Sequence, residues 1–311
     1  MEKLPIKEKV NNFLWHFDGR KLRLGVGCAW CGLADNYHDV LDKDLALLMR
    51  CYEEGFRYFD TSRSYHNSEQ IVGEMVKRID RNSIFLATKS RFPRGNNGFE
   101  IFKNNFYESF ERLQTNHIDL FQIHDTDNFE ICVNEVMPFL KERQVEGLID
   151  YIGFATRSIN SHQVALLSGD VQSSLSYINY SLLKKSAQPL IDMSKKMNTL
   201  FVNASVLHFG LIKAENPLEY KGNSSNFIRL KKHCVKMQEL CKKLGVDIVA
   251  ASLQYSLLNP NIDMTLNGIA RISNIESTLK AMSTPIYPEQ WAAIFALQEE
   301  MEGMYIQDDL F

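Results

Sequence analysis

The sequence predicts an α/β protein, specifically a (β/α)8 TIM barrel with an N-terminal arm and terminal helices. Short apolar runs of strand length alternate with longer stretches of helical spacing along the chain, and eight such runs can be counted. Eight parallel strands with helical crossovers is the number that closes such a barrel. No low-complexity linker, tandem repeat or change of composition divides the chain, so we expect one domain over residues 1–311.

The first half of the chain provides four strand–helix pairs. Gly55 marks the end of the first helix, and Ser68 is expected to cap the second. The predicted strands are residues 22–26, 56–59, 84–88 and 118–123, and the predicted helices are residues 42–54, 68–78, 99–113 and 132–143.

The second half completes the barrel, with residues 173–177 as the least clear strand. The predicted strands are residues 151–155, 173–177, 200–204 and 264–267, and the predicted helices are residues 161–167, 187–197, 227–244, 247–258, 275–282 and 289–301. Two long irregular segments, residues 91–98 and 208–225, are expected to be functional, as loops of that length usually are.

Composition and charge exclude several functional classes. Hydrophobic residues make up 45% of the chain, which allows a packed core, and 35 basic against 38 acidic residues give a net charge of −3. This balance gives no excess of positive charge that would bind nucleic acid or an anionic membrane. The chain has no apolar run of the roughly 20 residues that span a bilayer, and its N-terminus lacks the apolar core of a signal peptide. We expect a cytoplasmic protein that acts on a small molecule as a monomer or small homo-oligomer.

The cysteines predict neither disulfides nor a metal site. Six of them are scattered over a large chain, which is unlike a disulfide scaffold. Cys28 and Cys31 have the spacing of metal ligands, but no second pair or histidine motif completes a zinc site.

Four polar residues mark a candidate site at the ends of three consecutive predicted strands: Asp60, Tyr65, Lys89 and His124. The carboxyl ends of the strands of a parallel barrel open on one face, and that face carries the chemistry. Each residue alone could be structural, as a packing tyrosine, an ion pair or a satisfied histidine. Their joint placement on one face instead favours catalysis.

These residues carry a family resemblance over about residues 22–282. Asp60, Tyr65, Lys89 and His124, with Ser68-Glu69 and Gly73-Glu74, resemble the aldo-keto reductases. Three further stretches are most similar to the sugar-oxidising branch, which includes the L-galactose, L-fucose and D-threo-aldose 1-dehydrogenases and pyridoxal 4-dehydrogenase. They are His124-Asp125, Leu175-Ser176-Tyr177 with Tyr180-Ser181-Leu182-Leu183, and the run after Ser205.

The chemistry can also be argued from the residues. Interconverting an alcohol and a carbonyl with a nicotinamide needs one proton donor or acceptor beside the oxygen. The unperturbed pKa of a phenol is about 10, too high for easy proton exchange at neutral pH. We expect the Lys89 ammonium to lower the pKa of Tyr65. Asp60 would pair with Lys89, and His124 would donate a hydrogen bond to the substrate oxygen.

The resemblance implies a cofactor site in the later loops. Thr156 would form a hydrogen bond with the nicotinamide carboxamide, and Tyr177 stands where the family often has Gln. Ser205 and Leu207 would bind the pyrophosphate, although Ser205 could also be a simple turn residue. The chain has no Gly-x-Gly-x-x-Gly after a strand, so a Rossmann site is not indicated.

The choice of dinucleotide depends on the segment that begins at Gly268, which the resemblance assigns to adenosine. The Glu276 carboxylate would repel a 2′-phosphate, which favours NAD unless Glu276 is only a solvated surface residue. Arg271 could clamp a phosphate, which keeps NADP possible.

The substrate pocket is less determined. Trp30 would form one wall by resemblance, or would pack on the N-terminal arm. Arg91, Asp125 and His208 would bind sugar hydroxyls, or are merely solvated. We predict oxidation of a small aldose or deoxy sugar at C1 to a lactone. The alternatives are an aldehyde or ketone reductase, and a nicotinamide-binding regulatory subunit.

Overall fold

A closed barrel of eight parallel strands forms the centre of the protein in a computed structural model, which describes residues 3–302 except 94, 96 and 126–128. A two-stranded hairpin, β1 (Trp15–Phe17) and β2 (Arg20–Leu22), precedes the barrel. The barrel strands are β3 (Leu24–Gly27), β4 (Tyr58–Asp60), β5 (Phe85–Arg91), β6 (Ile118–His124), β7 (Ile149–Thr156), β8 (Ser173–Tyr177), β9 (Leu200–Ala204) and β10 (Met264–Gly268). They pair in chain order, and β10 closes the ring by pairing with β3.

Helices connect the strands and surround the barrel. After the N-terminal α1 (Ile6–Asn11), they are α2 (Leu41–Glu53), α3 (Ser68–Val76), α4 (Gly98–Leu113), α5 (Phe129–Val145), α6 (Ile159–Ser168), α7 (Gln188–Lys196), α8 (Ser225–Leu244), α9 (Ile248–Leu258), α10 (Ile272–Ser283) and α11 (Pro288–Glu302). Each of α2 to α7 joins two consecutive strands, α8 and α9 together join β9 to β10, and α10 and α11 end the described chain. The architecture is therefore the predicted (β/α)8 barrel. No helix among the described residues is long and apolar enough to cross a membrane.

The predicted elements are present, with differences at their ends. The strands predicted at 173–177 and 200–204 have those bounds, whereas β5 continues to Arg91, so that Lys89 lies inside the strand. The predicted strand 22–26 began too early, because Arg20–Leu22 belongs to the hairpin. The predicted capping role of Ser68 is wrong: Asn67 stands at the cap position, and the Ser68 hydroxyl donates to the Cys28 carbonyl at 2.8 Å.

The two irregular segments differ from the prediction in detail. Residues 208–225 contain two short 3₁₀ helices, His208–Lys213 and Pro217–Glu219, before α8 begins. The segment 91–98 runs from the last residue of β5 to the first of α4, and its residues 94 and 96 lie outside the described part of the chain.

The N-terminal arm closes the amino-terminal end of the barrel. Four apolar residues of the arm join one buried cluster with side chains from inside the barrel: Ile6, Val10, Phe13 and Leu14. The Tyr151 hydroxyl also donates to the Leu4 carbonyl at 2.6 Å. Because this end is sealed by apolar packing, the open face of the barrel is the one at the carboxyl ends of the strands.

Candidate active site

A cavity of about 580 Å³ opens at the carboxyl ends of the barrel strands. Parallel strands direct their C-terminal residues to this face, and the loops that follow complete the walls. All four residues predicted to be catalytic line the cavity: Asp60, Tyr65, Lys89 and His124.

Lys89 and Asp60 form a buried ion pair beneath the cavity. The Lys89 ammonium donates to Asp60 Oδ1 and, at 2.8 Å, to the Thr61 carbonyl. The Gln122 amide donates to Asp60 Oδ2 at 3.1 Å. Burial acts to lower the pKa of Lys89, but Asp60 and Tyr65 together outweigh it and leave that pKa raised, so the lysine is charged at neutral pH.

Tyr65 lies between the lysine and the histidine. The Lys89 ammonium is 4.9 Å from the centroid of the Tyr65 ring, and that ring meets the His124 ring edge-on with centroids 5.7 Å apart. Burial raises the pKa of Tyr65, and Lys89 opposes this without overcoming it. Lys89 thus lowers the pKa of Tyr65 as predicted, but the pKa stays raised overall, because burial and the Asp60 and Asp125 carboxylates outweigh the ammonium.

His124 is a neutral imidazole at physiological pH. Burial, together with the positive charges of Lys89 and Arg91, lowers its pKa to about 3. Its Nδ1 lies 3.1 Å from the Ser62 hydroxyl oxygen, and its Nε2 lies 3.4 Å from Asp125 Oδ2.

Asp125 lies at the centre of a cluster of three polar side chains at the mouth of the cavity. Arg91 donates to Asp125 Oδ2 at 3.0 Å, and the Tyr177 hydroxyl donates to Oδ1 at 2.7 Å. Partial burial acts to raise the pKa of Asp125, but its neighbours hold it below the usual value. All three side chains line the cavity and offer charged or hydroxyl groups to a polar ligand.

Trp30 forms part of the cavity wall, as the resemblance implied, and does not pack on the N-terminal arm. Its side chain is 41% exposed and lines the cavity. The ring lies against Gly268, where an added Cβ would come within 3.0 Å of Trp30 Nε1. Gly268 is thus needed for this close approach of the wall to the end of β10.

The cavity includes most, but not all, of the remaining predicted residues. Those that line it are Tyr177, Ser205, Leu207, Gly268 and Arg271. Thr156 does not line it: its side chain is buried, and its hydroxyl accepts from the Ser158 N–H at 3.3 Å. Thr156 therefore lies outside the cavity lining, and its predicted carboxamide contact stays a prediction.

His208 and Glu276 also lie away from the cavity. His208 is buried, with its Nε2 2.6 Å from the Ser181 hydroxyl oxygen. Its φ of 47° belongs to a left-handed stretch of the loop that turns this side chain into the core. Glu276 is exposed on α10, since Ile275 and Thr278 occupy the buried face of that helix. Neither residue lines the cavity, and their predicted contacts with sugar and cofactor stay predictions.

Several residues of the site were not predicted, and three of them are polar side chains with a clear place in it. Ser62 and Gln122 contact His124 and Asp60, and Lys213 lines the outer cavity. Gln122 stands two residues before His124 on β6, so the two-residue period of a strand could have placed it on the same face. Nothing local in the sequence distinguishes Ser62 or Lys213 from ordinary loop residues.

Potential metal ligands are grouped elsewhere. Within the described part of the chain, the one group of three or more is His117, Asp119 and Asp150, near the amino-terminal ends of β6 and β7. Arg81 pairs with Asp119 at 2.7 Å and Lys3 with Asp150 at 3.2 Å, so protein cations already balance these carboxylates. Cys28 and Cys31 are free, buried thiols outside this group.

Comparison with known proteins gives the family. The model of the Aldo/keto reductase family matches residues 23–299. The chain belongs to this family. Its members are nicotinamide-dependent oxidoreductases, as the resemblance of the four site residues indicated.

Two relatives are sugar dehydrogenases by name. L-galactose dehydrogenase of Arabidopsis thaliana is 28% identical over 270 residues, covering 83% of this aldo/keto reductase and 84% of the relative. D-threo-aldose 1-dehydrogenase of a Pseudomonas species is 24% identical over 309 residues, covering 87% and 92%. The predicted branch of the family is therefore confirmed.

Solved structures share the fold. The holo form of an aldo-keto reductase from Bacillus halodurans superposes with a TM-score of 0.73 at 24% identity, covering 90% of this chain and 93% of that one. A Klebsiella pneumoniae aldo/keto reductase, solved with NADP and acetate, gives 0.69 at 15% identity, covering 94% and 97%.

Proposed function

We propose that this aldo/keto reductase oxidises a small aldose or deoxy sugar at C1 to the lactone, using a nicotinamide dinucleotide. The observation that carries the proposal is the arrangement of Lys89, with Asp60 on one side and the Tyr65 ring 4.9 Å away on the other. Similarity to two named sugar dehydrogenases supports the substrate class.

Tyr65 is the proton acceptor in this proposal. The hydroxyl at C1 gives its proton to the Tyr65 oxygen in its phenolate form, and a bound nicotinamide would serve as the acceptor of the hydride from C1. The Lys89 ammonium stabilises phenolate relative to phenol, and Asp60 holds that ammonium in place. In the opposite direction, Tyr65 returns the proton to a carbonyl oxygen.

Three further residues orient the sugar. His124 donates a hydrogen bond to the oxygen at C1, because its ring stands edge-on to Tyr65 and lines the same cavity. Arg91 and Asp125 offer a charged donor and a charged acceptor to other hydroxyls of the ring.

The residues at the far side of the cavity suit a dinucleotide. Gly268 lines the cavity beside the Trp30 ring, and Ser205 offers a hydroxyl. Arg271 and Lys213 provide positive charge for phosphate groups at the rim. NAD remains the cofactor predicted from the sequence, and the position of Arg271 is the reason to test NADP beside it.

The second candidate function is reduction of an apolar aldehyde or ketone. Three apolar side chains at the cavity rim are nearly half exposed: Trp30 at 41%, Leu33 at 46% and Phe209 at 45%. Such a rim would favour an apolar carbonyl compound as well as the apolar face of a sugar ring.

Turnover on a panel of compounds tests the proposal. We would incubate the enzyme with L-galactose, L-fucose, D-arabinose or apolar aldehydes, using oxidised or reduced NAD and NADP, and follow the absorbance of the reduced nicotinamide. Lactone formation from a sugar is the expected result. Turnover of aldehydes alone would establish the second candidate, and binding of cofactor without any turnover would favour a regulatory subunit.

We also propose that the whole chain acts as one domain.

A further inference from the structure

We propose that Ser62 fixes the tautomer of His124, by donating its hydroxyl proton to Nδ1 and so keeping the ring proton on Nε2, toward the substrate. This positioning role rests on the proposed function only in assigning His124 to the substrate oxygen. The tautomer itself is a property of the protein alone.

The hydrogen bonds around Ser62 leave two places for its proton. The Ser62 hydroxyl is placed to donate to the Lys89 carbonyl at 3.0 Å or to His124 Nδ1 at 3.1 Å, but it has only one proton to donate. The Lys89 carbonyl already accepts the Arg63 N–H at 2.9 Å, and the Ser62 oxygen already accepts the Ser64 N–H at 3.1 Å. If the Ser62 proton goes to His124 Nδ1, the ring proton is on Nε2; if it goes to the Lys89 carbonyl, a protonated Nδ1 donates to Ser62 instead. The contacts of Nε2 select the first arrangement.

The other side of the ring requires the same tautomer. His124 Nε2 lies 3.4 Å from Asp125 Oδ2, and a bare Nε2 would face that carboxylate with its lone pair. A proton on Nε2 replaces this repulsion with an attraction. The distance is too long for a strong hydrogen bond, and Asp125 Oδ2 already accepts from Arg91 at 3.0 Å. The Nε2 proton thus remains available to a substrate oxygen.

The ring has only one proton to place. The charged and titratable groups that face it are Lys89 on β5, Arg91 at the end of β5, Asp125 after β6 and Tyr65. Two of these are cations, and together with burial they keep the imidazole neutral. With a single N–H, the choice of tautomer decides whether His124 donates to the substrate or repels it.

The position of Ser62 ties two parts of the site together. It stands between Asp60 and Tyr65 in the same loop, and its side chain is fully buried. The loop that places the proton acceptor therefore also sets the orientation of the hydrogen-bond donor.

Nitrogen NMR of the histidines tests the tautomer directly, without substrate. In protein with ¹⁵N-labelled histidine at neutral pH, we expect the His124 signals, assigned with His124→Gln, to show a protonated Nε2 and an unprotonated Nδ1. In Ser62→Ala we expect a mixture of both tautomers. Ser68→Ala is the matched control, because it removes another buried hydroxyl of this segment that bonds Thr61 and Cys28 but not His124. It should leave the His124 signals unchanged.

Kinetics separate this role from a merely structural one. On the identified substrate, Ser62→Ala should lower kcat about tenfold, the scale of one buried hydrogen bond, and leave the KM for the cofactor unchanged, while Ser62→Thr restores kcat. A wild-type His124 protonated on Nδ1, or an unchanged tautomer in Ser62→Ala, would overturn the proposal. If the tautomer is as expected but no sugar is turned over, the proposed function fails and this inference stands.

Discussion

Tyr65 is the residue on which the proposed chemistry depends most directly. Tyr65→Phe keeps the ring beside His124 and Lys89 but removes the exchangeable proton. We expect turnover on the identified substrate to fall by roughly 10²–10⁴, with cofactor affinity little changed. Steady-state kinetics and a cofactor titration measure both, and near-normal turnover would show that another group moves the proton.

Lys89→Met extends the same test. It leaves the buried Asp60 carboxylate with Gln122 but without its cation, so both activity and stability should fall. Asp60→Asn provides the comparison, because it removes the charge that Lys89 balances while keeping a similar shape. A Lys89→Met protein with normal turnover would contradict the assigned role of the lysine.

The choice of dinucleotide is a second question at the residue scale. The sequence favoured NAD because of Glu276, but Glu276 is exposed away from the cavity, whereas Arg271 lines it. We therefore expect Arg271→Ala to lower kcat/KM for NADP more than for NAD, and Glu276→Arg to change the ratio little. Paired kinetics with both cofactors measure this. A large shift toward NADP in Glu276→Arg would restore the role first assigned to the glutamate.

At the scale of elements, the contact between β6 and β7 supports the buried ion pair. Gly153 on β7 lies beside Gln122 on β6, and an added Cβ would come within 2.8 Å of Gln122 Cγ. We expect Gly153→Ala to destabilise the fold by about 1–3 kcal/mol, the usual cost of overpacking, and to lower turnover by displacing the amide from Asp60. Chemical denaturation and kinetics measure the two effects.

A double-mutant cycle distinguishes this contact from a general defect of β7. In a Gln122→Ala background the closest of the tight contacts is absent, although those with Leu120 and Ser173 remain, so Gly153→Ala should cost less there than in the wild type. Equal costs in the two backgrounds would show that Gln122 does not transmit the effect.

For the whole molecule, buried neutral histidines predict acid sensitivity. Burial lowers the pKa of His124 to about 3, of His162 to about 4 and of His208 to about 3. In the unfolded chain these histidines have their ordinary pKa of about 6.5. Below that pH the unfolded state therefore binds protons that the native state excludes. Stability is therefore full above that value and is lost as the pH falls toward the folded-state pKa values.

The size of this effect can be measured. Each buried histidine contributes a loss of about 1.4 kcal/mol per pH unit once its unfolded form is protonated. Urea unfolding between about pH 7 and about pH 5 should show the decline, with a smaller slope in His162→Gln. A free energy of unfolding that stays constant over this interval would contradict the assignment of buried, neutral rings.

Activity of the whole enzyme should survive extensive EDTA treatment. The proposed hydride and proton transfers need no metal, and the carboxylates of the His117 group are balanced by Arg81 and Lys3. Loss of activity that zinc restores would instead implicate Cys28 and Cys31.

Much of the architecture could be read from local pattern. The alternation of strand and helix, the eight-strand count and the order of Asp60, Tyr65, Lys89 and His124 are carried by residue type and spacing, and they predicted the fold and family that were found. The ends of strands were less predictable, as at β5, because they depend on pairing with the neighbouring strand.

What the sequence determined by itself was the fold class and the face of the barrel on which the four polar residues meet, because strand period and order along the chain fix them. The family followed from the resemblance of those residues to the aldo-keto reductases. The tertiary structure alone decided which loop residues reach the cavity. His208 and Thr156 turn into the core, Glu276 faces solvent, and Ser62 comes within 3.1 Å of a ring 62 residues along the chain. Such contacts depend on backbone turns and on packing between distant segments, which no local pattern of residues specifies.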